Sequence, residues 1–181
     1  MNSQIVSGSL SDLAQKNETS LAETWLSVDA VILIDVSSSM SQSDGELPRI
    51  DRARNALKNL QSKYSGKLAV FTFSDFTTFM PYGYIAGVEG MTDLTKALKF
   101  VKVADGIPDM KFIVISDGEP NDAPSALAEA TKFENKIDTI FIGAGGYGAE
   151  FLAKLSAKSG GKSMTGNAHE IEQKTTLLLG G

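Results

Sequence analysis

Four short stretches of the chain are apolar almost without interruption: Val28–Ile34, Leu68–Phe73, Lys111–Ser116 and Asp138–Ile142. Each is rich in β-branched or aromatic residues, and runs of this kind and length read as strands covered on both faces. Between them the pattern changes to helical spacing. Pro48–Tyr64 puts Ile50, Ala53, Leu57, Leu60 and Tyr64 on one stripe, with Pro48 suited to a first helical turn. Thr92–Val103 repeats this with Leu94, Ala97, Leu98 and Val101. Pro124–Phe133 and Ala149–Ala157 carry narrower stripes, and Glu170–Leu179 reads as a last helix. Strands alternating with helices of this length predict βαβ crossovers: a parallel sheet with helices on both faces.

Two segments are less regular. Phe76–Tyr84 is aromatic but holds Pro81, which confines it to a loop or an edge strand; Phe79–Ile85 is expected to be a short edge strand beside the preceding one. Lys162–Thr165 is a weak strand candidate. Residues 1–20 are polar, although Leu10, Leu13, Ala14, Leu21 and Trp25 form a narrow stripe able to dock a helix, the alternative being a flexible arm.

Composition narrows the function classes. The chain has 181 residues, 42% of them hydrophobic, enough for one sizeable core. A net charge of −5 and a pI near 4.9 argue against nucleic acid or an anionic membrane as partner. Cysteine is absent, which removes disulfides, thiolate catalysis and thiolate metal sites. The first cation is Lys16 and no apolar leader precedes it, so a secretory signal is not expected. No apolar run approaches the roughly 20 residues of a membrane-spanning helix. The expectation is a cytoplasmic domain.

Chemistry gathers where strands end. Asp35-Val-Ser37-Ser-Ser39 follows the first strand directly, Thr92 opens a helix within Gly90-Met-Thr-Asp-Leu94, and Asp117 follows the strand ending at Ser116. Open α/β sheets bind ligands at such carboxyl ends. All five side chains are hard oxygen donors, which suits Mg²⁺, Mn²⁺ or Ca²⁺ rather than zinc or copper. If the strands of Asp35 and Asp117 are neighbours at the switch point, the five converge on one ion.

The set Asp35-x-Ser37-x-Ser39, Thr92 within Gly-x-Thr-x-Leu-x-x-Ala-Leu, and Asp117 within Ile-Ser-Asp-Gly-Glu-Pro resembles the von Willebrand factor A (vWA) family and its metal-ion-dependent adhesion site, MIDAS. The resemblance covers roughly residues 28–178. It implies a doubly wound, mostly parallel six-stranded sheet of order 3-2-1-4-5-6 with one antiparallel edge strand. It sets residues 1–27 apart as a polar arm or helix and 28–181 as the vWA-like domain. It also implies that Ser37, Ser39 and Thr92 bind the metal directly while Asp35 and Asp117 reach it through water, with Asp93 and Asp122 as nearby carboxylates. The function it implies is a non-enzymatic, Mg²⁺-dependent (or Mn²⁺-dependent) protein-binding module completed by a partner's Asp or Glu. Ca²⁺ is also accepted by oxygen donors, but it prefers more ligands. Intracellular members of the family work beside AAA+ ATPases, so such a partner is an expectation, and a structural subunit of a larger assembly is the alternative.

Other motifs compete with this reading. Gly143-Ala-Gly145-Gly146-Tyr-Gly148 matches a dinucleotide fingerprint but sits on the wrong strand and lacks a following ribose-binding carboxylate, so it reads as a tight strand-to-helix turn. A Mg²⁺-dependent phosphohydrolase would use Asp35 as nucleophile, yet Ser37 stands where such enzymes place their acid. His169, the single histidine, reads as a surface or capping residue. The terminal Gly180-Gly181 is similar to the tail of ubiquitin-like proteins, but a glycine-ended helix explains it more simply. The aromatics Phe73, Phe76, Phe79, Tyr82 and Tyr84 read as edge packing. Around the metal, loops Ser41–Leu47, Asp75–Thr78, Val88–Met91 and Glu119–Ala123 are expected to form an acidic rim carrying Asp44, Glu46, Asp75, Glu119 and Asp122.

Overall fold

The computed structural model describes residues 4–43 and 45–180. Among them the strands are β1 (Ala30–Asp35), β2 (Leu68–Phe73), β3 (Thr77–Phe79), β4 (Lys111–Ser116), β5 (Ile137–Ile142) and β6 (Ser163–Gly166). They form one sheet of order β3-β2-β1-β4-β5-β6, parallel throughout except where β3 runs antiparallel to β2. The helices are α1 (Leu10–Lys16), α2 (Leu21–Trp25), α3 (Arg49–Lys63), α4 (Leu94–Val101), α5 (Ala123–Ala130), α6 (Tyr147–Ser159) and α7 (Ile171–Leu179). Strand order reverses at β1, whose neighbours are β2 on one side and β4 on the other, so the carboxyl ends of β1 and β4 open a crevice between them.

The apolar strand runs divide by the two-residue period of the pleat. Val31, Leu33, Ala69, Phe71, Phe112 and Val114 face one side, where Leu94, Ala97, Leu98 and Val101 of α4 and Leu152 and Leu155 of α6 cover them. Ile32, Ile34, Val70, Ile113, Ile115 and Ile140 face the other, under Ile50, Ala53, Leu57 and Leu60 of α3 and Ile171 and Leu178 of α7. A half-exposed sheet would show alternating polar residues; burial on both faces removes that alternation from the sequence.

The edge strand departs from expectation. It spans Thr77–Phe79, not Phe79–Ile85, pairing Phe71 with Phe79 and Phe73 with Thr77. Met80 N–H still reaches the Val70 carbonyl at 2.8 Å, but Pro81 has no N–H to offer and the chain then turns, with Gly83 N–H donating to the Met80 carbonyl at 2.9 Å. The carbonyls of Pro81 and Tyr82 instead accept Ser11 N–H and Val6 N–H, each at 2.9 Å, so the N-terminal segment lies along this turn. Leu10 is buried in the core, and Trp25 meets Phe71 and Phe79 edge-on at centroid distances of 6.1 and 5.5 Å. Residues 10–25 thus hold two short helices capped by Ser9 and Ser20, which pack through Leu10, Ala14 and Trp25, while Leu21 of the expected stripe is exposed.

A buried carboxylate fastens the exit of α4 to the entry of β5. Asp105 accepts the Lys102 ammonium at 2.6 Å and the backbone N–H groups of Glu134 and Asn135 at 2.8 Å each. Burial pushes its pKa up, but the Lys102 ammonium and the two N–H donors outweigh it and hold the group below the ordinary carboxylate value. A lowered folded pKa means stability present above the unfolded value of ~3.9 and lost as pH falls below it. Asp105→Ala should lower unfolding free energy at neutral pH by about 1–2 kcal/mol, since two part-buried N–H donors and the Lys102 ammonium lose their acceptor. Urea melts at pH 7 check this, and the difference from wild type should shrink below pH 4.

Candidate functional site

Asp35 is the last residue of β1 and is fully buried. Its Oδ1 accepts the Ser37 backbone N–H at 2.8 Å, a local turn that lifts the chain off the strand and into the short helical turn Ser38–Ser41. Its Oδ2 accepts the Ser116 hydroxyl at 2.6 Å, from the end of the neighbouring β4. Burial, above all, pushes Asp35 up to about 6, helped by the nearby charge of Asp117 and opposed by the bonds from Ser116 and Ser37.

From this anchor a chain of oxygens crosses the crevice. The Ser37 and Ser39 hydroxyls lie 3.1 Å apart, and Ser39 donates to Asp117 Oδ1 at 2.6 Å. Ser39 has one hydroxyl proton, already given to Asp117, so Ser37 is the donor between the two serines. Asp117 Oδ2 accepts Arg49 Nη1 at 2.8 Å, in an ion pair whose carboxylate side chain is 0% exposed and whose guanidinium side chain is 15% exposed. Arg49 opens α3, with Pro48 as its N-cap. A cation at a helix N-terminus opposes the macrodipole by about 0.3–1 kcal/mol, so the Asp117 pairing holds Arg49 where local preference disfavours it.

Thr92 joins through its main chain. Its N–H donates to Asn121 Oδ1 at 3.1 Å and its carbonyl accepts Asn121 N–H at 2.9 Å, four residues beyond Asp117. On the other side, the Gly90 carbonyl accepts both the N–H and the hydroxyl of Ser38 at 3.2 Å. Gly90 has φ +77°, and a Cβ there would sit 2.4 Å from Asp75 Oδ2, so only glycine brings this loop so close. The structure therefore gathers Asp35, Ser37, Ser39 and Asp117 into one hydrogen-bonded chain and sews the buried Thr92 beside it through Gly90 and Asn121.

Sequence reading passed over Arg49, Ser116 and Asn121. Only Arg49 leaves a local signal, a cation at a helix start just after a proline. The nearby carboxylates Asp93 and Asp122 have other work. Asp93 caps α4 through Lys96 N–H and Asp122 caps α5 through Ser125 N–H. Of the expected rim, Glu46, Glu119 and Asp122 are exposed and Asp75 is half-buried, while Asp44 lies outside the described residues. The glycine run forms a turn, with Gly143, Gly145 and Gly146 at φ +145°, +114° and +107° and Gly146 as the N-cap of α6. His169 is exposed. Gly180 caps α7, and Gly181 lies outside the described residues.

No family model matches the chain, and neither does any curated protein. Solved structures do. A von Willebrand factor type A protein from Catenulispora acidiphila superposes with a TM-score of 0.64 at 16% identity, covering 83% of this chain and 41% of that one. The von Willebrand factor A fold is what this chain adopts. Two further vWA-fold relatives carry metals. Proximal thread matrix protein 1 of the mussel byssus, with zinc in its MIDAS motif, matches at 0.62 and 17% identity over 93% of this chain and 50% of that one. A manganese-loaded TRAP protein of Plasmodium vivax matches at 0.58 and 19% identity over 84% and 73%. In this vWA fold the hydroxyl–carboxylate chain lies at the carboxyl ends of β1 and β4. Among the described residues no three His, Cys, Asp or Glu side chains come together as a metal-holding group. Nor is any described helix long and apolar enough to cross a membrane.

Asp35 provides a direct test of this geometry. Folded, it titrates near 6; unfolded, near ~3.9, so between these values the folded chain binds more protons. Its contribution to stability is full below pH ~4 and is lost as pH rises through about 6. Chelator-treated protein should lose roughly 2–3 kcal/mol across that window, a slope that Asp35→Asn removes. Denaturant melts from pH 4 to 7.5 on both proteins measure it.

Proposed function

We propose that this chain is a non-enzymatic, divalent-cation-dependent protein-binding module whose metal site is built from Asp35, Ser37, Ser39, Thr92 and Asp117. The observation that carries this reading is the run of oxygens from buried Asp35 through Ser37 and Ser39 to Asp117. The donor set fits a small hard cation. Octahedral Mg²⁺ with oxygens at about 2.0–2.1 Å has edges of about 2.9 Å, close to the 3.1 Å between the two serine hydroxyls. The longer bonds of Ca²⁺ ask for wider spacing and more ligands, so Mg²⁺ or Mn²⁺ is the preferred ion. The zinc and manganese held by the two relatives agree with a divalent ion in general.

Neutral hydroxyls shape what such a site does. Ser37, Ser39 and Thr92 contribute lone pairs without charge, while Asp35 and Asp117 stand behind them and offset part of the ion's charge. Bound there, a divalent ion supplies an electrophilic position for a partner's Asp or Glu. The surroundings suit a protein partner. Phe76, Tyr147 and Met91 are 80%, 79% and 62% exposed on the loops and helix start at the carboxyl end of the sheet. Large exposed apolar side chains beside a charged centre are the composition of an interface core. The acidic rim favours a partner that surrounds its one carboxylate with Lys or Arg. The family resemblance makes an AAA+ ATPase the first partner class to test, and the absence of cysteine suits a cytoplasmic setting.

A phosphohydrolase reading has less support. Both oxygens of Asp35 are occupied inside the protein, one by the Ser37 N–H and one by the Ser116 hydroxyl, and the group is buried away from substrate. Purified protein with Mg²⁺ should not turn over phosphomonoesters, whereas metal-dependent turnover abolished by Asp35→Asn would restore the enzyme reading.

Calorimetry with Mn²⁺ should show one bound ion, with affinity falling at least about tenfold in Ser39→Ala. Unchanged binding in that variant would sink the assignment. For the partner, affinity capture with and without EDTA, repeated with Thr92→Ala, should show loss in both cases while circular dichroism stays native. A partner retained equally in EDTA places the interface elsewhere.

A further inference from the structure

One cation already touches the proposed metal site. Arg49 Nη1 lies 2.8 Å from Asp117 Oδ2, and the opposite oxygen of that carboxylate takes the Ser39 hydroxyl at 2.6 Å. Asp117 is thus satisfied on both sides, once by a neutral donor and once by a full positive charge. The Ser39 bond is compatible with metal ligation, because Ser39 gives its one proton to Asp117 and, besides the lone pair that accepts from Ser37, keeps a second for an ion. The Arg49 contact is not neutral in this sense. It places a positive charge on the carboxylate whose negative charge would otherwise draw a divalent ion toward the serines.

The guanidinium is also held there against local preference. It begins α3 at the positive end of the helix dipole, with Asp51 as the acidic residue of that first turn. Asp51 is engaged by Arg54 at 2.5 Å, and Arg49 reaches instead to Asp117, 68 residues away in the chain. Contacts with Gln42 also aim the residue. Its N–H donates to the Gln42 carbonyl at 2.9 Å, and Nη1 also reaches Gln42 Oε1 at 3.5 Å.

Resting on the metal-site reading above, we infer that Arg49 is an intramolecular counter-ion that competes with the divalent cation for Asp117 and so sets the metal affinity of the site. Without the ion, Arg49 neutralises a carboxylate that is 0% exposed and keeps the crevice assembled. With the ion, the two like charges oppose each other across Asp117, and it is the Arg49 side chain, 15% exposed where Asp117 is 0% exposed, that borders solvent. Arg49 acts through Asp117 and is in that sense a positioning residue. The module therefore stays folded while empty and loads only when the free cation concentration overcomes the pairing.

The sign of one measurement separates this from a merely structural role, since removing a structural support weakens metal binding and removing a competitor tightens it. Calorimetric titration with Mn²⁺ and Mg²⁺ should show Arg49→Gln binding at least about tenfold more tightly than wild type, with Arg49→Lys, which keeps the charge, close to wild type. Metal-free Arg49→Gln should melt lower than wild type and gain more on adding Mg²⁺. A measurement on the wild-type chain guards against a variant that does not fold: the Arg49 side-chain N–H resonance should be protected from exchange in chelator and lose that protection on saturation with Mg²⁺. Binding by folded Arg49→Gln that is equal to or weaker than wild type, or an Arg49 resonance unmoved by saturating Mg²⁺, overturns the inference and leaves the metal site standing. If neither wild type nor Arg49→Gln binds either ion, both readings fall together. Binding by Arg49→Gln alone would support both.

Discussion

Everything at the carboxyl end of the sheet depends on β1 pairing in parallel with β4. That register sets Ile34 beside Ile115 and lets Ser116 reach across to Asp35 at 2.6 Å. A carboxylate cannot be buried without donors, and Asp35 finds one in its own loop and one on the neighbouring strand. Slipping β4 by one residue would turn Ser116 to the other face and leave Asp35 short of a partner. The apolar faces packed under α3 and α4 resist that slip, since each strand residue has a helix to meet on its own side. Core packing and site geometry are thereby one constraint.

Once Asp35 is anchored, the rest of the crevice is assembled by short hydrogen bonds between small side chains. Ser37, Ser39 and Asp117 follow one another within hydrogen-bonding distance, and the loops of Gly90 and Asn121 clamp Thr92 from both sides. Small residues matter because their oxygens stay close to rigid backbone and have little freedom to lose. The charge in the crevice is arranged in the opposite way: Asp117 is neutralised by a long side chain from α3. Rigid neutral donors beside a displaceable cation form a site able to exist empty.

The edge of the sheet follows a different logic. Pro81 ends the ladder after β3, and the freed carbonyls are taken by the N-terminal segment, so the N–H groups of Val6 and Ser11 complete hydrogen bonds that a longer β3 would have kept. Trp25 then covers Phe71 and Phe79, which draws part of the aromatic cluster inward as packing. Phe76 stays out in solvent near the crevice, and Tyr82 and Tyr84 remain partly exposed. Aromatic content alone does not distinguish these fates, because burial of a ring at a sheet edge depends on what comes to lie over it.

How far the sequence could be read follows from which interactions are local. Unbroken apolar runs marked β1, β2, β4 and β5, and helical spacing marked α3 and α4, since both patterns record faces covered by the core. The ends were less legible: β3 shifted because Pro81 acts through a missing N–H, and α4 begins at Leu94, after the Asp93 cap, and not at Thr92. Hydroxyl and carboxylate types at strand ends determined by themselves that the chemistry is that of hard oxygen donors. Only the tertiary structure decided that Ser116 buries Asp35 and that Arg49 closes on Asp117, contacts spanning 81 and 68 residues. Such contacts leave no periodic trace in the chain, because their partners are brought together by sheet order and not by spacing.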